Sequence, residues 1–376
     1  MRQRDDVLVY KETQASDKTS KTWDLKYTDP LSALYLEFWA VNGSTSNKGN
    51  FISDIITNVE IVDGSKPLFQ LTQAELEALN FYKTKRAPVL FPSEHPSGTQ
   101  RHGVNLLFGR KLWDPQFAFD CTKYSNPQLK ITWDLGAVRT VSATTAFTTG
   151  SLQISAIAKL MNGISAPPSF LSAREVDLFT MPTSGSHLTQ MYTDYPWRMM
   201  MLRSFIQGSD IDECIDHITL NCDAGSFKPI DNRYMRDLDA EALAEFGRCQ
   251  FKHDIFTQNL AAFREINNKE NSGHWADFAK TIPSIIGINY EWSSEGKLDM
   301  YDNAAAAISA DEALTGFEDG HAPHATVPVP FGDLGDPSSW FDATAFKRID
   351  LTLYAPSSGH AGVSSVVLEQ VRPNGQ

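Results

Sequence analysis

The chain has 376 residues, 41% of them hydrophobic and 11% aromatic, which favours two domains of ordinary size with substantial cores over one. It contains no uninterrupted apolar run of about 18 residues and no charged-then-apolar leader, so a membrane span is excluded and a soluble protein made in the cytoplasm is expected. The formal charge is −13, but residues 1–168 carry 18 Lys+Arg against 16 Asp+Glu, while residues 169–376 carry 15 against 30; so negative a field disfavours general nucleic-acid binding.

The first elements are read from alternation and turn chemistry. A short polar arm precedes a strand over 22–28, and a second strand over 33–41 ends at Gly43. In it Leu34, Leu36 and Phe38 alternate with Tyr35, Glu37 and Trp39, the pattern of a half-buried strand with an aromatic outer side. Ile56, Val59 and Ile61 lead to an Asp63-Gly64 turn. Thr72 is an N-cap with Glu75 three residues on, a capping box, and Leu76 and Leu79 supply the buried side of the helix. A Pro-rich stretch over 88–96 follows, and Leu152, Ile154 and Ile157 mark a closing strand. At 162–168 Gly, Ser and a Pro pair read as a linker, which divides the chain into 1–165 and 166–376.

The second half repeats the order of the first. Val104, Leu106, Phe108 and Gly109, then Asp114-Pro115, Phe119-Asp120 and alternating Leu129, Ile131 and Trp133, recur as one unit. The second copy has Val327, Val329, Phe331 and Gly332, then Asp336-Pro337, Phe341-Asp342 and alternating Ile349, Leu351 and Leu353. Before that unit, Asp177-Leu178 stands where Asp24-Leu25 stood, and the run 199–206 matches the strand ending at Gly43. Ile215, Ile218 and Leu220 match Ile56, Val59 and Ile61. Asp239 takes the N-cap place of Thr72, with Leu243 and Phe246 for Leu76 and Leu79. A final strand over 363–371 closes the second pass.

The copies differ in one connection. Leu76 to Phe108 spans 32 residues, and Leu243 to Phe331 spans 88. The excess, an inserted subdomain over 247–326, holds an amphipathic helical run with Phe256, Leu260 and Phe263 on one side. It also holds a strand-like 285–292 and a second helical stretch over 303–314 that stops at Gly316. Loops of that length usually have a job. Each repeat otherwise has many short strands, Gly/Pro-rich turns and one small helix, so the fold class is all-β: two tandem jelly-roll sandwiches.

Signals for chemistry are sparse. Cys121, Cys214, Cys222 and Cys249 lack CxxC spacing and read as buried free thiols in a reducing compartment. Asp120 and Asp342 are the candidate acids of a glycosidase pair, but their equivalent places in separate repeats favour loop capping. His321 and His324 beside Asp319 form a pair without fixed geometry for a metal, read as a solvated loop. Asp237, Asp239, Glu241 and Glu245 mark an acidic helix N-terminus. Trp133, Trp292 and Trp340 are a sugar platform or, at strand spacing, core. Lys83, Lys85 and Arg86, with Arg2 and Arg4, form a small basic cluster that suits lipid head groups, an acidic neighbouring subunit or a solvated loop. Nucleophile-elbow, P-loop and dinucleotide motifs are absent, so no catalytic, cofactor or metal residues are assigned.

The duplicated unit, from Val104 to Trp133 and again from Val327 to Leu353, resembles the double jelly-roll major capsid proteins of tailless icosahedral viruses, the lineage of adenovirus hexon and membrane-containing bacteriophages. The resemblance implies a homotrimer of pseudo-hexagonal outline that tiles a virion shell after synthesis in the host cytoplasm, and no enzyme activity. Its implied partners are neighbouring capsomers, penton and minor capsid proteins, and in many relatives an internal lipid membrane, with no sequence-specific nucleic acid. The insert 247–326 would be an outward tower or a trimer clasp. Obligate interfaces are large and apolar, so the isolated monomer is expected to be poorly soluble. The alternative is a trimeric viral receptor- or carbohydrate-binding β-sandwich protein.

Overall fold

Strand alternation and tight turns build the first half in the order expected, with further elements added. β1 (Arg2–Thr13) precedes β2 (Lys18–Asp24) and β3 (Leu31–Val41), and one turn of helix, α1 (Ile52–Ile55), follows. β4 (Asn58–Asp63) and β5 (Lys66–Leu71) form a hairpin whose two-residue loop opens on Gly64 at φ +62°, an angle glycine takes at no steric cost. α2 (Gln73–Thr84) begins on the expected capping box: Glu75 N donates to Thr72 Oγ1 at 3.3 Å, and Thr72 N donates to Glu75 Oε2 at 2.9 Å. β6 (Val89–Phe91), β7 (Thr99–Leu107), β8 (Pro127–Asp134) and β9 (Gln153–Asn162) complete the half. Of these, β1, α1, β5 and β6 are the additions, and the strand expected over 22–28 lies earlier, as β2. The structure, a computed structural model, describes residues 1–44, 47, 50–91, 93, 95–137, 147–206, 209–257, 263–266, 272–279, 296–299 and 312–376, with only the backbone over 250–319.

The second half runs β10 (Ser169–Thr180), β11 (Ser186–Met191), β12 (Trp197–Phe205), α3 (Ile211–Cys214), β13 (His217–Cys222), β14 (Phe227–Tyr234) and α4 (Met235–Phe246). Then come the strands of the insert: β15 (Cys249–Thr257), β16 (Phe263–Ile266), β17 (Ser272–Ala279), β18 (Gly296–Asp299) and β19 (Glu312–His321). β20 (Thr326–Pro330), β21 (Ile349–Tyr354) and β22 (Val363–Pro373) end the chain.

The sheets show the duplication directly. In the first half β1-β9-β3-β7 form one sheet, extended by β6, and β2-β8-β4-β5 form the sheet facing it. In the second, β10-β22-β12-β20 and β11-β21-β13-β14 repeat both orders, strand for strand. Each pair encloses an apolar core, with Leu34, Leu36, Phe38, Ile131 and Trp133 in one, and Met200, Leu202, Val327, Leu351 and Leu353 in the other. β5 and β10 meet in parallel at Gln70 and Arg174, which merges the second sheet of the first half with the first sheet of the second into eight strands. The chain is therefore a double jelly roll.

The Phe-Gly unit repeats down to single hydrogen bonds. Phe108 N donates to Ser32 O, and Phe331 N to Arg198 O, each at 3.0 Å. Phe108 stacks on Phe119 with centroids 5.1 Å apart, and Phe331 on Phe341 at 5.5 Å. Each glycine is required by crowding. A Cβ on Gly109 would stand 2.6 Å from Asp114 Cβ, and one on Gly332, at φ +84°, 2.3 Å from Ser339 O.

Several sequence expectations are corrected. The N-terminal arm is β1, paired with β9, and its strand character was hidden by its mixed charge and by the absence of any buried residue along it. Asp177 lies on β10, the counterpart of β1, whereas Asp24 ends β2, so the two are not equivalent. α4 starts at Met235 after Tyr234, which makes no side-chain cap; Asp239 lies inside the helix and Leu238 takes the place of Leu76. In the insert, Phe256 lies on β15, Phe263 opens β16, and Leu314 and Gly316 lie within β19. Non-local pairing in the order β15-β19-β17, and of β16 with β18, overrides a local helical spacing that short apolar runs share with strands. Leu260, the 285–292 run and 303–311 lie outside the described residues.

Candidate assembly surfaces

The first half's helix α2 is buried from Gln73 to Tyr82, ten of its twelve residues, although Gln73, Glu75, Glu77 and Asn80 carry charged or amide side chains. It is held between its own core and the outer face of the β10-β22-β12-β20 sheet. Leu76 and Leu79 share one apolar cluster with Met199, Met201 and Val367. That accounts for β12: Met199, Met200, Met201 and Leu202 are all at most 1% exposed, because even positions face the sandwich interior and odd ones face α2.

Polar groups of α2 reach across to the second half, where burial demands partners for them. Lys83 Nζ lies 2.6 Å from Glu369 Oε1, and Arg198 Nη1 lies 2.5 Å from Glu369 Oε2. Burial works to raise the Glu369 carboxyl, but the two cations outweigh it and hold its pKa below the ordinary value. Burial, with Arg198 nearby, lowers that of the Lys83 ammonium against the pull of Glu369. Ser365 Oγ donates to Glu75 Oε1 at 2.5 Å, and Tyr82 Oη donates to Thr326 O at 2.7 Å. Glu77 holds two histidines, His102 Nδ1 at 3.0 Å and His324 Nε2 at 2.8 Å. Burial opposes its ionisation, but the histidines prevail and bring its pKa to about 2. Across the same seam Glu175 is pushed up to about 8 by burial and by the neighbouring Glu75.

Register identifies the counterpart of each residue. Leu36 pairs with Val104 and Ala156, and Leu202 pairs with Val327 and Val366. Met199 and Met201 therefore correspond to Ala33 and Tyr35, Val367 to Ile157, and Glu369 to Lys159. The two helices are both twelve residues long and end on a positive-φ residue, Lys85 or Gly247, whose N–H bonds four residues back. That register sets Glu75 against Asp237, Tyr82 against Ala244 and Lys83 against Glu245.

The counterpart surfaces are open. On the first sheet's outer face Tyr35, Trp39 and Ile157 are half-buried, and Val7, Val89 and Phe91 are 57%, 36% and 43% exposed. Arg101 and Lys11 lie over Trp39, with Arg101 also paired to Glu37. On α4 the residues Arg236, Asp237, Ala240, Glu241, Ala244 and Glu245 are exposed.

The residues singled out in the sequence are dispersed. Asp120 and Asp342 are caps: Thr122 N and Thr344 N donate to their carboxylates at 3.0 and 3.1 Å, opening two equivalent 3-10 turns. Trp133 and Trp340 are buried and bond Ser16 O and Asp333 O; Trp292 lies outside the described residues. His321 meets Asp239 at 2.8 Å and His324 is 1% exposed on Glu77, so the solvated-loop reading of that pair is corrected. Lys83 is buried, while Lys85 donates to Glu245 O and Arg86 is exposed, so the basic cluster does not act as one patch. All four cysteines are buried thiols outside any disulfide. The α2 network was missed; the unalternating run of Met199 to Leu202 was its signal.

No protein-family model and no curated protein sequence matches the chain. Solved structures do match. The major capsid protein of Sulfolobus turreted icosahedral virus aligns over 99% of this chain and 96% of its own, with a TM-score of 0.58 and 11% identity. Major capsid protein P2 of bacteriophage PM2 aligns over 99% and 97%, with a TM-score of 0.53 and 12% identity. A PBCV-1 virus capsid chain aligns over 98% and 93%, with a TM-score of 0.57 and 7% identity. What is shared at such identities is the fold, along nearly the entire length of each chain.

Proposed function

We propose that this chain is the major capsid protein of an icosahedral virion, made in the host cytoplasm, with residues 1–165 and 166–376 as its two barrels. Three chains would form a trimer of pseudo-hexagonal outline, the unit that tiles the facets. The observation that carries this reading is the repeated sandwich fixed rigidly to its twin. Six strand pairings recur in the same order, and a buried helix with its ion pairs locks one barrel against the other. Two similar barrels at a fixed angle give three chains six similar sides, which a flexible tandem would not. The reading also fits the aromatic and aliphatic side chains exposed on the first sheet, since single exposed apolar residues are ordinary but clustered ones mark interfaces.

Contacts with penton and minor capsid proteins, and a lipid membrane beneath the shell, belong to the same proposal. So does the insert as outward tower or clasp; its β15 runs directly on from α4 and lies beside β6 of the first barrel. The test is the mass of the purified chain by light scattering on a sizing column, with negative-stain images of the main peak. Three times the 41.8 kDa chain, in particles of hexagonal outline, is expected. A stable monomer at micromolar concentration would overturn the proposal.

A further inference from the structure

The two halves have the same fold, but only one of two equivalent docking events takes place inside the chain. α2 covers the outer face of the second barrel's sheet. α4 is its counterpart, and the outer face of the first barrel's sheet is the counterpart of the covered one. Both are left open. We infer that α4 of one chain docks on the outer face of the β1-β9-β3-β7 sheet of a second copy, in the manner of α2 on β10-β22-β12-β20, and that a reversed ion pair between Glu245 and Lys159 selects this arrangement.

The reversal follows from register. Inside the chain the helix supplies the cation, Lys83, and the sheet the anion, Glu369, at 2.6 Å. At the corresponding positions α4 carries Glu245 and the first sheet carries Lys159. Bulk is exchanged in the same sense. Tyr82 on α2 becomes Ala244 on α4, while Met201 on the covered sheet becomes Tyr35 on the open one. Within its own chain Lys159, 20% exposed, pairs at 2.6 Å with Asp5, whose side chain is 55% exposed, so the pair lies at the edge of solvent.

The same charges oppose the wrong pairings. A helix like α2 on the first sheet would set Lys83 against Lys159, and α4 on the second sheet would set Glu245 against Glu369. Like charges brought together in an interface cost affinity, so the reversal enforces alternation of first and second barrels around a ring. The charge imbalance between the halves works in the same direction. Because helix and sheet face are different surfaces, the contact is heterologous and must close into a ring or propagate.

This inference rests on the three-chain reading, and charge reversal separates the two. Glu245→Lys and Lys159→Glu are each expected to raise the protein concentration needed for assembly about tenfold or more, and the double variant to restore it to within a few-fold. Thermal melts of each variant at a concentration where it is monomeric establish that the barrels still fold. A wild-type trimer that neither single variant weakens, or a double variant no better than the singles, would overturn the docking while leaving the trimer intact. A wild-type chain that stays monomeric would remove both.

Discussion

Two sheets of this molecule share strand order, register and even their entry hydrogen bonds, yet their outer faces have opposite fates. On β12 and β22 that face holds Met199, Met201, Val367 and Glu369, sealed under α2. On β3 and β9 it holds Tyr35, Trp39, Ile157 and Lys159, all half-buried. The inner faces stayed apolar in both copies because each must fill a sandwich core. The outer faces diverged because one is an internal seam and the other, in the reading proposed here, awaits another chain.

The largest effect is expected at the seam. Glu369→Ala strands two buried cations and should cost about 3–5 kcal/mol in denaturant unfolding, whereas Lys159→Ala, its open counterpart, should change monomer stability by less than about 0.5 kcal/mol. Equal effects would erase the distinction between the faces. Glu77 comes next. Its pKa is held at about 2, below the ordinary 4.5, so its contribution is present above pH 4.5 and is lost as pH falls toward 2. The loss is on the order of 3 kcal/mol for a fully buried group, and Glu77→Gln should flatten the acid limb of stability against pH.

Glu175 has the opposite sign. Its pKa, raised to about 8, favours the protonated folded state, so that contribution is complete below pH 4.5 and is lost as pH rises through about 8. Glu175→Gln should melt higher than the wild type above pH 8 and lie closer to it in acid. A variant that melts lower at alkaline pH would contradict this placement of the carboxyl. The smallest effects compare the repeated caps: Asp120→Ala should cost about 1 kcal/mol, and Asp342→Ala, whose residue is exposed, less.

The duplication was legible because its marks are local. A Phe-Gly turn crowded by Asp114 or Ser339, a 3-10 turn capped by Asp120 or Asp342, and the Thr72 capping box each write their geometry into a few adjacent residues. The jelly roll followed from their order. What failed is non-local. β1 reads as a polar arm because only its pairing with β9 makes it a strand, and the insert reads as helical because the pairing of β15 with β19 and of β16 with β18 is invisible in the spacing of Phe256 and Phe263. The seam stayed hidden for the same reason: Lys83 looks like a surface cation until Glu369, 286 residues away, is placed beside it.

The most direct measurement is zero-length coupling of carboxylates to amines in the assembled protein, with half of the chains isotopically labelled, read by mass spectrometry. A mixed-label cross-link between Glu245 and Lys159 is expected, with covalent products that stop at three chains. An assembly in which Lys159 links only to Asp5 of its own chain, and Glu245 to no first-barrel residue of another, would contradict it.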